Sequence, residues 1–230
     1  MNLTIGTARE YVRSRIDELP ISASMLSQSV DDENMNSLVD KNLEEAIRYI
    51  HLTAPAVLME GLKLTKADTT TTGEGNTVKA THRDSVLDID FSTSTIDVLR
   101  IVSFKTESSP ILLTETYYED SVQAHMQNDA YASGETDDPV IIMMADSANY
   151  KPHLRYYKQS QWPGTIPEFT LQYFPNPSLT AETNPLNSYY YISSKLQDAV
   201  LEYLTSMVLT AYKEVDYANV FITRAQAYMK

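Results

Sequence analysis

The sequence contains no cysteine and only six glycines. The lack of thiols excludes disulfides, thiolate nucleophiles and cysteine-based zinc or iron–sulfur sites. With so few glycines there is little backbone that could cradle a phosphate, and no Walker A loop, GxGxxG fingerprint or GxSxG nucleophile motif occurs. These absences remove the commonest signatures of nucleotide-binding and hydrolytic enzymes.

A long hydrophobic run is also absent from the sequence. No stretch of about 18 apolar residues occurs anywhere. Residues 1–15 mix charges with apolar residues instead of forming the apolar core of a signal peptide. We therefore expect a soluble, unprocessed intracellular protein that makes no contact with a membrane.

Basic residues are few compared with acidic ones, since 18 Lys and Arg stand against 31 Asp and Glu and give a formal net charge of -13. Sequence-independent binding of nucleic acid depends on Lys and Arg that displace counterions from phosphates, so this charge disfavours it. The charge suits a conduit to which DNA must not adhere, and it equally suits simple solubility. A hydrophobic share of 43% is sufficient for a folded core.

Apolar residues recur three and four positions apart at both ends of the chain, which is the spacing of one face of an α-helix. This pattern predicts a helix over residues 5–19 and a second one over 32–51, kinked or restarted at Pro55. It also predicts a long helix over 193–212 and a last helix over 216–229. The long helix has a wide apolar face, so we expect it to lie centrally.

The middle of the chain alternates apolar with polar residues, which is typical of strands with one solvated face. The Thr-rich stretch 66–84 shows no periodicity and predicts a mobile loop. The stretch 121–130 predicts a short helix over the sheet. The predicted strands cover 86–91, its expected neighbour 98–104, then 111–118, 140–144, 154–157 and 169–174.

The order of helices, then strands, then helices predicts an α+β fold. In this prediction the N- and C-terminal helices form one helical bundle from residues 1–64 and 190–230. Residues 65–189 form a β-rich domain, an antiparallel sheet or sandwich, inserted between them.

Residues that could support chemistry are scattered along the sequence. Four histidines are far apart and none belongs to an HExxH or similar metal-binding pair; these are His51, His82, His125 and His153. Asp88 and Asp90 could share a cation, but two carboxylates without a third ligand are more typical of the solvated side of a strand. We expect no catalytic, cofactor or metal site and a protein that is not an enzyme. A small enzyme would instead need carboxylates that converge from separate strands.

Tyrosine is abundant, with 16 residues and runs at 117–118, 156–157 and 189–191. Neighbouring residues of a strand point to opposite faces, so one Tyr of each pair is expected to lie outside the local core. Tyr suits a subunit interface because its ring is apolar and its hydroxyl can stay hydrogen-bonded. A half-buried sheet and a sugar-binding platform are the alternatives. The predicted interface residues are Thr70, Thr71, Glu74, Tyr117, Tyr118, Tyr156, Tyr157, Trp162, Tyr189, Tyr191, Phe221 and Tyr228.

Three segments carry a resemblance to a known family: the run Asn42–Ile50 (NLEEAIRYI), the stretch Asp97–Phe104 (DVLRIVSF), and the closing helices Lys195–Lys230, rich in Ala, Leu and Tyr. In this order the chain resembles the head-to-tail adaptors of short-tailed phages, of the tail tubular protein A type, and in particular a ring protein of crAss-like phages. The Thr-rich stretch 66–84 and the Tyr-dense strands are not features of that family.

The resemblance implies a structural virion protein assembled in the bacterial host cytoplasm. About twelve copies would form a ring in the phage neck between the portal protein and the tail. The ring would continue the DNA channel, through which genomic DNA passes without specific binding, and would offer a docking platform to a neighbouring ring or tail proteins. The alternative function is a carbohydrate-binding or adhesin subunit of a tail structure.

Overall fold

The computed structural model describes residues 1–19, 32–68, 79–83, 86–90, 97–106, 109–113, 117–118, 120–127, 140–145, 152–157 and 169–230. The chain divides into two compact units. The helical unit comprises Met1–Leu62 and Pro177–Lys230, and the β-rich unit comprises Lys63–Asn176. Terminal helices together with largely antiparallel sheets confirm the predicted α+β class.

The helices follow the predicted periodicity closely. The α-helices are α1 (Ile5–Asp17), α2 (Asp32–Thr53), α3 (Val122–Met126), α4 (Gln197–Ala211) and α5 (Val215–Tyr228). Short 3-10 helices cover Ala56–Leu62, Pro185–Asn187 and Ser194–Leu196. None of the described helices combines the length and apolar character needed to cross a bilayer.

Helix α4 is the centre of the helical unit, as its wide apolar face predicts. It packs against α1, α2 and α5, and most of its residues are buried, including Val200, Leu204 and Val208. Helix α1 presents a stripe of buried residues four positions apart, Ala8, Val12 and Ile16. Burial of such stripes against a common partner is the main source of stability for helices of this length.

The turn between α4 and α5 is a Schellman motif closed by Lys213. This residue has a φ of 65°, in the left-handed region where glycine is normally found. The amide of Lys213 donates to the carbonyl of Thr210, and the amide of Glu214 donates to the carbonyl of Leu209, both at 3.0 Å. These two hydrogen bonds satisfy two of the last carbonyls of α4. Helix α5 then begins at Val215, directly after Glu214.

A small antiparallel sheet also belongs to the helical unit. Its strands run in the order β1 (Asn2–Thr4), β12 (Tyr189–Tyr191) and β11 (Leu179–Thr180). The predicted boundary between residues 189 and 190 is therefore corrected to one between Asn176 and Pro177. Residues 177–189 were assigned to the β-rich domain because they are extended. Within this stretch Leu179–Thr180 pairs with β12, and Tyr189 of β12 pairs with Thr4 of β1 at the other end of the sequence.

The described strands of the β-rich unit form two sheets. One has the order β2 (Leu64–Asp68), β10 (Phe169–Pro175), β5 (Val98–Thr106), β6 (Ser109–Leu113). The other has the order β3 (Lys79–Arg83), β4 (Val86–Asp90), β9 (Pro152–Tyr157), β8 (Val140–Ala145), β7 (Tyr117–Tyr118). All neighbouring strands are antiparallel except the parallel pair β7 and β8.

The first of these sheets has a well-defined apolar core. The rings of Phe104 and Phe169 stack with centroids 5.7 Å apart, and Leu171 and Phe174 are buried beside them along β10. The Ser103 hydroxyl is buried as well and donates to Oε1 of Gln172 at 3.0 Å. A buried hydroxyl with a hydrogen-bond partner avoids the cost of desolvation.

Two predictions for this unit are corrected. The expected loop 66–84 includes the end of β2 and all of β3. The strand 98–104 was expected to neighbour 86–91, but β4 pairs with β3 and β9, whereas β5 pairs with β10 and β6 in the other sheet. Alternation of apolar and polar residues shows which face of a strand is buried. It does not show which other strand pairs with it.

Candidate assembly interface

The run of three tyrosines in β12 shows the alternation that its sequence predicts. Tyr190 is buried and its hydroxyl donates to Oε2 of Glu44 in α2 at 3.1 Å. Burial, reinforced by the Glu44 carboxylate, raises the pKa of Tyr190 to about 12, so the hydroxyl remains a donor at neutral pH. Tyr189 is half-buried, and Tyr191 is 57% exposed. The strand thus anchors one ring in the core and offers another to solvent.

Three segments that are far apart in sequence frame a cleft beside Tyr191. The backbone nitrogen of Met1 donates to the carbonyl of Ile192 at 2.9 Å, and the amide of Ile192 donates to the carbonyl of Met1 at 2.8 Å. The Ser193 hydroxyl donates to the carbonyl of Leu58 and so ties the 3-10 helix Ala56–Leu62 to the end of β12. These hydrogen bonds fix the three walls relative to one another.

The cleft has a volume of about 220 Å³ and a lining of mixed polar and apolar character. Met1, Val57 and Tyr191 line it and are 45%, 67% and 57% exposed. Glu60 and Lys195 add one charge of each sign. Apolar and aromatic groups gathered around one concavity, with charges beside them, are typical of a protein-binding surface. We call this surface the Tyr191 cleft.

Gly61 forms part of the wall of the Tyr191 cleft. A Cβ atom added at this position would meet no heavy atom within 4 Å. The Cβ atom of a residue introduced here would therefore displace no neighbour. Gly61 is therefore a position in the wall of the cleft at which we expect a substitution to leave the fold intact.

Several predicted interface residues cannot be placed at an interface. Four of them lie outside the described residues: Thr70, Thr71, Glu74 and Trp162. The pair Tyr117 and Tyr118 forms β7 beside Ile142 and Met143 of β8, with Tyr117 half-buried. The pair Tyr156 and Tyr157 lies in β9, which is an interior strand of its sheet because it pairs with β4 and β8.

The two predicted residues of α5 have opposite outcomes. Tyr228 is 48% exposed, so it is available to a partner. Phe221 is 2% exposed and packs with Ala218 and Ala225 on the buried face of the helix, so its assignment to an interface is wrong. The spacing of three and four residues among Ala218, Phe221 and Ala225 is the signal that identifies Phe221 as a core residue.

Sequence reasoning did not single out Met1 or Val57. Isolated apolar residues are common on protein surfaces, so neither is conspicuous by itself. Pro55 follows the end of helix α2, and Val57 lies in the short 3-10 helix that begins after it. Only the tertiary structure brings Val57 and Met1 next to Tyr191.

Polar groups inside the helical unit are the other place where chemistry could reside. Glu202 of α4 is buried and accepts a hydrogen bond from Tyr11 of α1, and Arg15 lies close to the same oxygen. The Nε2 atom of the buried His51 has no hydrogen-bond partner among the described residues. Across the described ranges, no group of three or more His, Asp or Glu side chains is arranged to hold a metal ion.

No protein-family model matches the chain, and no curated protein matches it with significant similarity.

Proposed function

We propose that this chain is a structural virion protein that assembles with copies of itself into a ring of the phage neck, between the portal and the tail. The observation that carries the proposal is the Tyr191 cleft, where Met1, Val57 and Tyr191 expose apolar surface around one concavity. Covering apolar surface of this kind with a partner removes it from water, which makes the free energy of association more favourable.

The architecture supports a repeated contact of this kind. The helical unit is held together across the ends of the chain by β1, β12 and the contact of α1 with α4, which gives a rigid body on which to mount an interface. A contact between two different surfaces of the same chain, repeated around an axis, closes into a ring. The resemblance to phage adaptors supplies the place of such a ring and its partners: the portal protein and the adjoining ring or tail proteins.

The charge of the chain supports the role of a DNA conduit. Both units are acidic, with 15 Asp and Glu against 9 Lys and Arg in the helical unit and 16 against 9 in the β-rich unit. A ring of such subunits would repel the phosphates of DNA along its channel. Genomic DNA would therefore pass through without specific binding.

The proposal is tested by the assembly state of the purified full chain. Sedimentation velocity and negative-stain electron microscopy are carried out with and without the portal protein of the same phage. We expect annular particles with a central hole, formed alone or on the portal. A particle that stays monomeric under both conditions contradicts the proposal.

A carbohydrate-binding tail subunit is a second candidate, because the exposed ring of Tyr191 beside a cleft also suits stacking on a sugar. A glycan array distinguishes the two functions. Glycan binding by the monomer that is lost in Tyr191→Ala would favour the second candidate, whereas assembly lost in the same variant favours the ring.

A further inference from the structure

The Tyr191 cleft and the turn between α4 and α5 lie at opposite ends of the central helix. Ser193, Ser194 and Lys195 line the cleft and lie just before α4. Helix α4 has 15 residues, so it is about 22 Å long at 1.5 Å per residue, and the turn follows its last residue. The helical unit therefore carries the cleft and the turn at the two ends of one rigid element.

The turn between α4 and α5 is exposed and rigid. Ala211, Lys213, Val215 and Asp216 are exposed, and Glu214 is half-buried. The two helices pack against each other, so the short turn that joins them projects from the end of the pair. Two 3.0 Å hydrogen bonds to carbonyls of α4 fix its backbone, which keeps the loss of entropy on binding small. We call residues 211–216 the α4–α5 knob.

The Tyr191 cleft has room for the apolar side chain of the knob. Val215 is 55% exposed and is flanked by charged residues. The cleft has a volume of about 220 Å³, whereas an apolar cavity of about 150 Å³ already holds benzene, which is larger than the side chain of valine. Placing Val215 against Met1, Val57 and Tyr191 would remove apolar surface of both partners from water.

The charges of the knob and the cleft are complementary. The charged side chains that line the cleft are Glu60 and Lys195. The knob exposes one charge of each sign, Lys213 and Asp216, on the two sides of its valine. The valine can enter the cleft with Asp216 towards Lys195 and Lys213 towards Glu60, which brings unlike charges together at both places.

We infer that the α4–α5 knob of one copy inserts Val215 into the Tyr191 cleft of a second copy, an inference that rests on the proposed self-assembly. Two knobs are both convex and would share little area, so the contact joins two different surfaces. Each added subunit then presents one knob and one cleft to further copies until the ring closes.

The test mixes two variants that are each blocked on one side of the contact. Val215→Arg puts a long cation on the knob, and Gly61→Arg puts one in the wall of the cleft. Each variant alone should associate at least about tenfold more weakly than the wild type by sedimentation velocity. An equimolar mixture should form one-to-one dimers and nothing larger, because only one intact knob and one intact cleft remain to pair.

Val220→Arg is the matched control, since it makes the same change at another exposed valine of α5. It should assemble like the wild type. Val215 is exposed and a Cβ atom at Gly61 meets no neighbour, so Tm of all three variants should stay within a few degrees of the wild type. A mixture of Val215→Arg and Gly61→Arg that stays monomeric contradicts the inference.

A charge exchange tests the orientation of the knob. Asp216→Lys and Lys195→Glu each bring like charges together, so each should weaken association about tenfold. The two changes combined in one chain restore an unlike pair and should restore association. A double variant that associates as weakly as the single ones contradicts the inference.

The inference and the proposed function fail separately. If the wild type assembles and Val215→Arg assembles equally well, the inference is wrong while the proposed function stands. If the wild type itself stays monomeric with and without portal, the proposed function and the inference are both wrong.

Discussion

The hydroxyl of Tyr11 in α1 donates a 2.8 Å hydrogen bond to Oε1 of Glu202 in α4. Glu202 is 1% exposed, and its second oxygen, Oε2, has no hydrogen-bond partner among the described residues. Arg15, one turn after Tyr11, donates to the Tyr11 hydroxyl at 3.1 Å and lies 3.5 Å from Oε1. Burial raises the pKa of Tyr11 to about 12. Two side chains of helix α1 therefore hold the buried carboxylate of Glu202 on the central helix α4.

We predict that Tyr11→Phe destabilises the helical unit. The substitution keeps the ring but removes the nearest donor to Oε1 of Glu202 and leaves Arg15 at 3.5 Å. A hydrogen bond to a charged group contributes about 1.5–3 kcal/mol. Urea denaturation followed by circular dichroism measures the change in the free energy of unfolding. Glu10→Gln, at an exposed position one residue earlier, serves as the control. An unchanged midpoint for Tyr11→Phe would show that the hydrogen bond contributes nothing to stability.

The buried His51 predicts a pH dependence of stability. Burial lowers the pKa of His51 from 6.5 to about 4, so the unfolded chain takes up a proton at a higher pH than the folded chain does. Stability should therefore be complete above about pH 6.5 and should fall as the pH decreases towards about 4. Unfolding curves of the wild type and His51→Leu at pH 7, 6 and 5 check this, since ordinary carboxylates titrate mainly below that range. If the wild type and His51→Leu lose the same free energy of unfolding between pH 7 and 5, His51 is excluded as the cause.

Lys213 predicts a stabilising substitution. A residue with a side chain is strained at a φ of 65°, whereas glycine adopts this conformation freely. Lys213→Gly should raise the free energy of unfolding by about 0.5–1 kcal/mol, visible as an increase in Tm. Lys213→Ala removes the same charge but keeps the Cβ atom, so it should give no comparable gain. Equal effects of the two variants would assign the change to charge.

Phe221 and Tyr228 should respond oppositely to truncation. Phe221→Ala leaves a cavity between α5 and α4 and should cost about 3–5 kcal/mol of stability. Tyr228→Ala removes an exposed ring and should change stability by less than about 0.5 kcal/mol. Thermal denaturation of both variants measures the difference. A large loss in Tyr228→Ala would mean that its ring is packed within the subunit.

Filling the Tyr191 cleft should block assembly without unfolding the chain. Gly61→Arg adds a long charged side chain to the wall of the cleft that Val57 and Tyr191 also line. Its Cβ atom meets no neighbour, so Tm should stay within a few degrees of the wild type while oligomers dissociate. Gly61→Ala adds only a methyl group and should assemble normally. Sedimentation velocity of both variants at one protein concentration makes the comparison. Full assembly of Gly61→Arg would exclude the cleft as an interface.

The sequence predicts the helices of this fold better than its strand pairs. Helical periodicity is local, so Leu204 and Val208 identify α4 and its central position without knowledge of any other element. Strand pairing is non-local, and the alternation in 86–91 could not reveal that β4 lies between β3 and β9. The same limit applies to β12, whose partner β1 lies at the opposite end of the chain.

The candidate interface could be predicted only in part. Tyr191 follows from alternation around the buried Tyr190, because adjacent strand residues face opposite ways. Val57 and Met1 could not be found, since their importance comes from their positions beside Tyr191 in space. Phe221 was misassigned although its spacing with Ala218 and Ala225 marks a packed helix face.

The pairing of β1 with β12, together with the central place of α4, has a consequence for protein synthesis. At about 5–20 residues per second, roughly 10–40 s separate the emergence of Asn2–Thr4 from that of Tyr189–Tyr191 on the ribosome. The complete β-rich unit emerges during this interval. Helices α1 and α2 have already emerged by then, but α4, on which both pack, has not. The apolar stripe of Ala8, Val12 and Ile16 therefore has no α4 to pack on until translation is nearly finished, and we expect chaperones that hold unfolded chains to bind the nascent chain.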